Sequence, residues 1–123
     1  SLDDFVQDES IDPVRAYDLS KEAVIVWGLQ NLPRFRQLGL RINAVSPAAV
    51  DTPILDDFMA AFGDRATRGV AITGRAGTPA EIAEVIHFLA SPQASWVNGC
   101  NIDCDGGLTA QLEFESIRVS PPQ

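Results

Sequence analysis

The sequence predicts an α/β fold organised around a parallel βαβ unit, and three observations carry that prediction. A long helix-like segment opens at Asp12-Pro13 and stops at Gly39. A short apolar segment at residues 40–45 and another at residues 101–105 have the length and texture of buried strands. Between them Thr78-Pro79 opens a second, firmly capped helix. Two short strands separated by a helical crossover pair in parallel, and such crossovers are right-handed.

Taken in order, residues 1–12 are acidic, lack periodicity and read as a loop or tail. Asp12 is placed as N-cap and Pro13 as the first helical residue. The apolar residues Ala16, Leu19, Ala23, Val24, Val26, Trp27 and Leu32 cover more than one face, so this helix is expected to be buried on two sides. Pro33 removes one backbone bond, at about 3 kcal/mol, and predicts a kink or break near Leu32. Gly39 suits the left-handed position just past a helix end. Pro47 closes the first strand, residues 53–62 read as a short helix, and residues 63–77, rich in Gly, Thr and Arg, read as a loop. In the second firm helix Thr78 caps, Pro79 is the first residue and Glu81 completes a capping box. Ile82, Ala83, Val85, Ile86 and Leu89 supply its buried face, and Ser91-Pro92 ends it. Gly106-Gly107 ends the last strand, and residues 111–123 lose periodicity and read as an irregular tail.

Composition narrows the class. The 123 residues, 46% of them hydrophobic, fit one globular unit. A net charge of −8 argues against a phosphate-backbone binder, since nucleic-acid modules carry basic patches. The longest apolar run, residues 23–27, is far too short to span a bilayer, and nothing resembles a signal peptide, so a cytoplasmic location is expected. Ser1 shows no initiator methionine, so processing or truncation is expected to have set the start. Cys100 and Cys104 are the only cysteines; in an extended strand they stand about 13 Å apart at ~3.3 Å per residue, beyond disulfide reach. They read as reduced, packed thiols, and with a single histidine, His87, no metal set is expected.

The chemistry-bearing feature is Tyr17-Asp18-Leu19-Ser20-Lys21, a phenol and an ammonium four residues apart at the start of the first helix. Residues at i and i+4 share a helix face. A phenol titrates near ~10 when unperturbed, and an adjacent cation favours its ionised form. The pair alone recurs by chance in many helices.

Downstream segments give it context. They are Arg41-Ile42-Asn43-Ala44-Val45-Ser46-Pro47-Ala48-Ala49-Val50-Asp51-Thr52-Pro53, then Gly74-Arg75-Ala76-Gly77-Thr78-Pro79-Ala80-Glu81-Ile82-Ala83, Phe88-Leu89-Ala90-Ser91-Pro92, Gly99 and Asp105-Gly106-Gly107. In this order and spacing, residues 16–108 resemble the C-terminal half of a short-chain dehydrogenase/reductase, with features of the hydroxysteroid dehydrogenase and carbonyl reductase branch. The resemblance implies a partial doubly wound Rossmann-type parallel sheet in residues 13–110, holding its last two strands. The glycine-rich turn T-G-x-x-x-G-x-G that cradles a cofactor pyrophosphate has no counterpart in the sequence, nor does a serine in matching context before Tyr17. The chain therefore reads as a fragment of an enzyme about twice its length, inactive alone, with an apolar strand edge that a partner or the other half must cover.

By the same resemblance the enzyme moves hydride between NAD or NADP and a secondary alcohol or ketone, possible substrates being a hydroxysteroid or another bulky carbonyl compound. Tyr17 is implied as general acid and base, and Lys21 as its activator and a ligand of the nicotinamide ribose. Pro47, Ala48, Val50 and Thr52 match a loop P-G-x-V-x-T at the nicotinamide end of the cofactor, with Ala48 where the family prefers glycine. Thr52 has two readings, cofactor contact and capping of the following helix. Residues 54–62, with Leu55, Phe58, Met59 and Phe62, are implied as an apolar lid over the site, or are an ordinary amphipathic helix. Ser20 reads as a packing residue, Arg75 as a structural ion pair, Trp27 and Trp96 as core or subunit contacts, and the helix at 13–38 as a homo-oligomer surface. A non-catalytic association module is the alternative. A sugar-nucleotide epimerase relative also carries Tyr-x-x-x-Lys, but residues 43–52 and Asp105-Gly106-Gly107 count against it.

Overall fold

Helix α1 (Pro13–Gln37) leads into strand β1 (Ala44–Pro47), helix α2 (Leu55–Thr73), helix α3 (Pro79–Ala90), a 3₁₀ turn (Pro92–Ala94), strand β2 (Asn101–Cys104) and helix α4 (Leu108–Val119). The computed structural model describes residues 12–119, so the acidic stretch expected as a loop or tail lies outside them apart from Asp12, as do residues 120–123. β1 and β2 pair in parallel, with Ala44 opposite Asn101 and Pro47 opposite Cys104. The crossover between them carries α2 and α3, and α3 packs on β1.

The start of α1 is as its sequence dictates: Asp12 Oδ1 accepts the N–H of Arg15 at 2.9 Å, and Pro13 follows. The helix does not break near Leu32. It runs through Pro33 to Gln37, because the proline sits near the end, where one missing donor disturbs few later bonds. The Leu38 N–H then donates to the carbonyls of Arg34 and Phe35 (3.3 and 3.1 Å), and Gly39 turns the chain at φ 69°. The expected burial on two sides is not met. No residue of α1 is buried, and Val24, Val26, Trp27 and Leu29 are each at least half exposed. A two-stranded sheet is too narrow to cover such a helix.

The first strand lies four residues later than expected at its start, Ala44 against residue 40. Residues 40–43 run beside the approach to β2, where the Gly99 N–H donates to the Ile42 carbonyl (2.8 Å) and side chains supply most of the other bonds. Asn98 Oδ1 accepts the Ile42 N–H (2.9 Å), and Asn43 both donates to the Val97 carbonyl (2.9 Å) and accepts the Cys100 N–H (3.1 Å). Arg41 donates to the Val97 and Ser91 carbonyls, each at 3.2 Å.

Two expected irregular stretches are helical. The loop read at residues 63–77 is helix to Thr73, bent at Gly63 (φ 50°, ψ −127°) and closed by left-handed Gly74. Leu55, Phe58, Met59, Phe62, Ala66 and Val70 form one half-buried to buried stripe at helical spacing, which carries the helix past the bend. A threonine hydroxyl serves the backbone there, Thr67 donating to the Gly63 carbonyl (3.2 Å). The tail read as irregular from Gln111 is helical to Val119. It is capped by Asp105, whose Oδ1 accepts the Gly107 N–H (2.8 Å) and whose Oδ2 accepts the Thr109 N–H (2.7 Å). Arg68 on α2 pairs with Glu115 on α4 at 3.7 Å.

α3 has the full capping box, and β2 ends one residue short of expectation, at Cys104. Of the expected inner face of α3 only Leu89 is buried, and Ile86 is 52% exposed. Among the described residues the buried apolar set is Ala66, Leu89 and Ala94. Neither tryptophan is a core residue: Trp27 is half exposed with Phe35 edge-on to it, and Trp96 is 98% exposed. Cys100 and Cys104 are free thiols, and His87 is exposed in the last turn of α3. No helix of the described residues is long and apolar enough to cross a membrane.

Candidate active site

The first turns of α1 present Tyr17 and Lys21 on one face. The Lys21 Nζ lies 5.2 Å from the centre of the Tyr17 ring, an ammonium–aromatic contact worth about 0.5–1 kcal/mol when exposed. No carboxylate of the described residues pairs with that ammonium. Tyr17 is 43% exposed, and two aromatic neighbours come from α2. Phe62 meets its ring edge-on at 5.2 Å and Phe58 at 6.2 Å, while the two phenylalanines stack on each other at 4.3 Å. The α2 segment is thus an amphipathic helix that lies beside the phenol. Ser20 donates its hydroxyl to the Tyr17 carbonyl at 2.7 Å, a bond within the helix that does not reach the phenol.

An ion pair fixes α2 against α1. Arg65 Nη1 lies 2.7 Å from Asp18 Oδ2, next in sequence to Tyr17, and the Arg65 guanidinium also stands 5.9 Å from the Phe62 ring centre. No spacing in the sequence announces this pair, because its members are 47 residues apart.

The remaining predicted site residues, Pro47, Ala48, Val50 and Thr52, lie together from the end of β1 to the start of α2. A short parallel bridge joins Val50 to Gly77: the Gly77 N–H donates to the Ala49 carbonyl (2.9 Å), and the Asp51 N–H donates to the Gly77 carbonyl (2.8 Å). Among the described residues no non-glycine residue has positive φ, so Ala48 fits its position without strain. The residue capping α2 is Ile54, with no side-chain bond, so the Thr52 hydroxyl is not spent on a cap. No hydrogen bond of the described residues links this loop to Tyr17 or Lys21.

Arg75 forms the ion pair expected of it, a bidentate contact with Glu81 at 2.9 and 2.6 Å. Glu81 also accepts from the Thr78 N–H (2.8 Å) and hydroxyl (3.1 Å). The Arg75 guanidinium, then the Thr78 donors, hold the Glu81 carboxyl down to about 2, and the same pairing raises Arg75. At Asp105 partial burial pushes the carboxyl up, but the hydrogen bonds from Thr109 and Gly107 outweigh it and leave it below its ordinary value. The sequence carries a signal for this cap, Asp105 before two glycines and the apolar-containing segment at residues 108–119, which the strand reading absorbs.

A surface phenol thus stands beside an ammonium with an apolar helix alongside, and a backbone-pinned loop follows the parallel strand β1. Residues 5–109 match the family described as enoyl-(acyl carrier protein) reductase. The chain belongs to the short-chain dehydrogenase/reductase family, and its βαβ unit is part of that family's Rossmann-type fold. It is 36% identical over 110 residues to coniferyl-alcohol dehydrogenase of Pseudomonas sp. (strain HR199 / DSM 7063), covering 86% of this chain and 42% of that protein. It is 37% identical over 99 residues to the 3-alpha-hydroxysteroid dehydrogenase/carbonyl reductase of Comamonas testosteroni, covering 79% of this chain and 38% of that protein. Among solved structures, the 3-alpha-hydroxysteroid dehydrogenase of Pseudomonas sp. B-0831 complexed with NADH superposes with a TM-score of 0.76 at 39% identity, over 82% of this chain and 41% of that one. The chain spans about 40% of the length of the curated relatives it matches.

Proposed function

We propose that the protein is an NAD(P)-dependent oxidoreductase acting on a secondary alcohol or ketone, and that Tyr17 is its proton-transfer residue. The observation that carries this reading is the Lys21 ammonium 5.2 Å from the Tyr17 ring on one exposed helix face. In carbonyl reduction the Tyr17 hydroxyl gives its proton to the carbonyl oxygen; in alcohol oxidation the phenolate takes the hydroxyl proton. Lys21 stabilises negative charge on the phenol oxygen. The bound nicotinamide supplies or accepts the hydride.

The donor set suits the nicotinamide end of such a cofactor. Lys21 has no carboxylate partner among the described residues, the Thr52 hydroxyl is free of capping duty, and Ala48 sits without strain. Lys21 would hold the ribose hydroxyls, with Pro47, Ala48, Val50 and Thr52 beside the nicotinamide. Phe58, Phe62 and the 69%-exposed Ile54 form an apolar wall for a bulky carbonyl compound such as a hydroxysteroid. The glycine-rich phosphate turn is not among these 123 residues, so they supply the proton-handling half of the site and do not turn over alone. The exposed apolar face of α1, with Val24, Val26 and Trp27, serves as a homo-oligomer surface.

The test is turnover of a cyclic secondary alcohol by the intact protein with NAD or NADP. Activity lost in Tyr17→Phe, with nucleotide affinity kept, is expected; activity retained in that variant sinks the assignment. The exposed α1 face also favours a second reading, an association module without catalysis. That reading predicts self-association and no nucleotide-dependent change in tryptophan emission in the intact protein.

A further inference from the structure

Arg75 and Glu81 are not part of the loop at residues 47–52, yet a chain of short contacts through Gly77 joins them to it. Arg75 grips Glu81 with both Nη atoms and donates Nη1 to the Ala76 carbonyl at 3.0 Å. Glu81 in turn holds the N–H and hydroxyl of Thr78. The Thr73 hydroxyl, at the end of α2, donates to the Arg75 carbonyl at 2.8 Å. Residues 75–78 are thereby fastened at both ends, with Ala76 and Gly77 between. Gly77 is also where the loop is held: it bonds Ala49 through its N–H and Asp51 through its carbonyl. Between β1 and α2 the loop has few other backbone bonds, the Leu55 N–H to the Thr52 carbonyl at 2.9 Å being one.

We propose that Arg75 and Glu81 are positioning residues, a clasp that sets the conformation of the 47–52 loop through Gly77 and so tunes its hold on the nicotinamide cofactor. This role rests on the reading that the loop takes the nicotinamide end. The clasp touches neither cofactor nor substrate. It acts by fixing where the Gly77 amide and carbonyl point, and these fix the backbone on both sides of Val50.

Arg75→Gln tests it, because this variant removes the guanidinium and leaves the Thr78–Glu81 capping box in place. In the intact protein we expect amide exchange at Asp51 and Gly77 to quicken about three-fold and the NADH dissociation constant to rise about three-fold, on the scale of an exposed ion pair. Exchange within the body of α3 should not move, the melting temperature should fall only slightly, and Arg75→Lys should recover part of the affinity. Unchanged exchange at Asp51 and Gly77 overturns the proposal. So does uniform acceleration with a steeply falling melting temperature, which marks an ordinary stabilising pair, or a loosened loop with unchanged NADH affinity. Failure of the wild-type intact protein to bind NADH sinks the cofactor reading, and the positioning role with it. The exchange rates then still decide whether the clasp controls the loop.

Discussion

Leu32 lies so close to Gly99 that a Cβ on the glycine would meet its Cδ2 at 2.9 Å, and Gly99 sits at φ +76°. Two independent requirements thus fall on one residue: a left-handed backbone and space for α1 to approach the start of β2. Gly99→Ala should destabilise by about 1–3 kcal/mol, from the left-handed penalty plus the displaced Leu32. Gly77→Ala is the contrast, since its added Cβ would meet nothing closer than 3.8 Å. Urea unfolding of the two variants reads the difference.

Tyr17→Phe should lower turnover in the intact protein by about 10²–10⁴-fold, the usual contribution of a positioned acid or base. The phenyl ring keeps its edge contacts with Phe58 and Phe62, so stability should change little. Steady-state rates at saturating nucleotide, with circular dichroism alongside, check both halves.

The Asp105 carboxylate accepts two backbone N–H groups at the start of α4. Asp105→Ala should cost about 0.5–2 kcal/mol and Asp105→Asn less, because an amide oxygen still caps. Loss of helical signal confined to α4 is the expected readout, by amide exchange at residues 108–112.

The Glu81 carboxyl is held down to about 2, below its ordinary ~4.3 in an unfolded chain. A depressed carboxylate adds stability above its unfolded value and loses that contribution as pH falls through the folded one. The clasp should therefore be intact above about pH 4.5 and released toward pH 2, with Arg75 charged throughout. Asp105 moves in the same direction. Both contributions should weaken in the acid limb and vanish from the pH profile of Glu81→Gln and Asp105→Asn respectively. Because the Arg75 and Glu81 side chains are each about half exposed or more, added salt should shrink the clasp's share.

Asp18 and Arg65 hold α2 beside Tyr17. A double-mutant cycle on Asp18→Asn and Arg65→Gln should give a coupling of about 0.2–1 kcal/mol, as for partly exposed pairs. A negligible coupling would mean that the aromatic contacts alone seat the helix.

Local chemistry was the legible part of this sequence. Asp12-Pro13, Thr78-Pro79 with Glu81, and Gly39 each write a helix end within a few residues, and all three ends fall where those signals put them. The Tyr17–Lys21 juxtaposition is legible for the same reason, being set by helix pitch alone. The start of β1 was misplaced because its ladder depends on Asn101, 57 residues beyond Ala44. Gly63, Thr67 and Gly69 give this stretch the composition of a loop, while Ala66 and Val70 continue the helical period of the apolar stripe before it. The contacts of Arg65 with Asp18, and of Gly77 with Ala49, are products of the fold and leave no local trace.

Only Ala66, Leu89 and Ala94 are buried apolar residues within the described span, while Val24, Trp27, Phe114 and Ile117 face outward. Unfolding a chain in that condition brings little additional hydrocarbon into water. Its heat-capacity increment should fall below the ~12–15 cal/mol/K per residue of an ordinary domain, giving a flat stability curve and a broad thermal transition. Whatever covers those outward faces should bind with a large negative heat-capacity change, and calorimetry would then read the missing core as a property of the association.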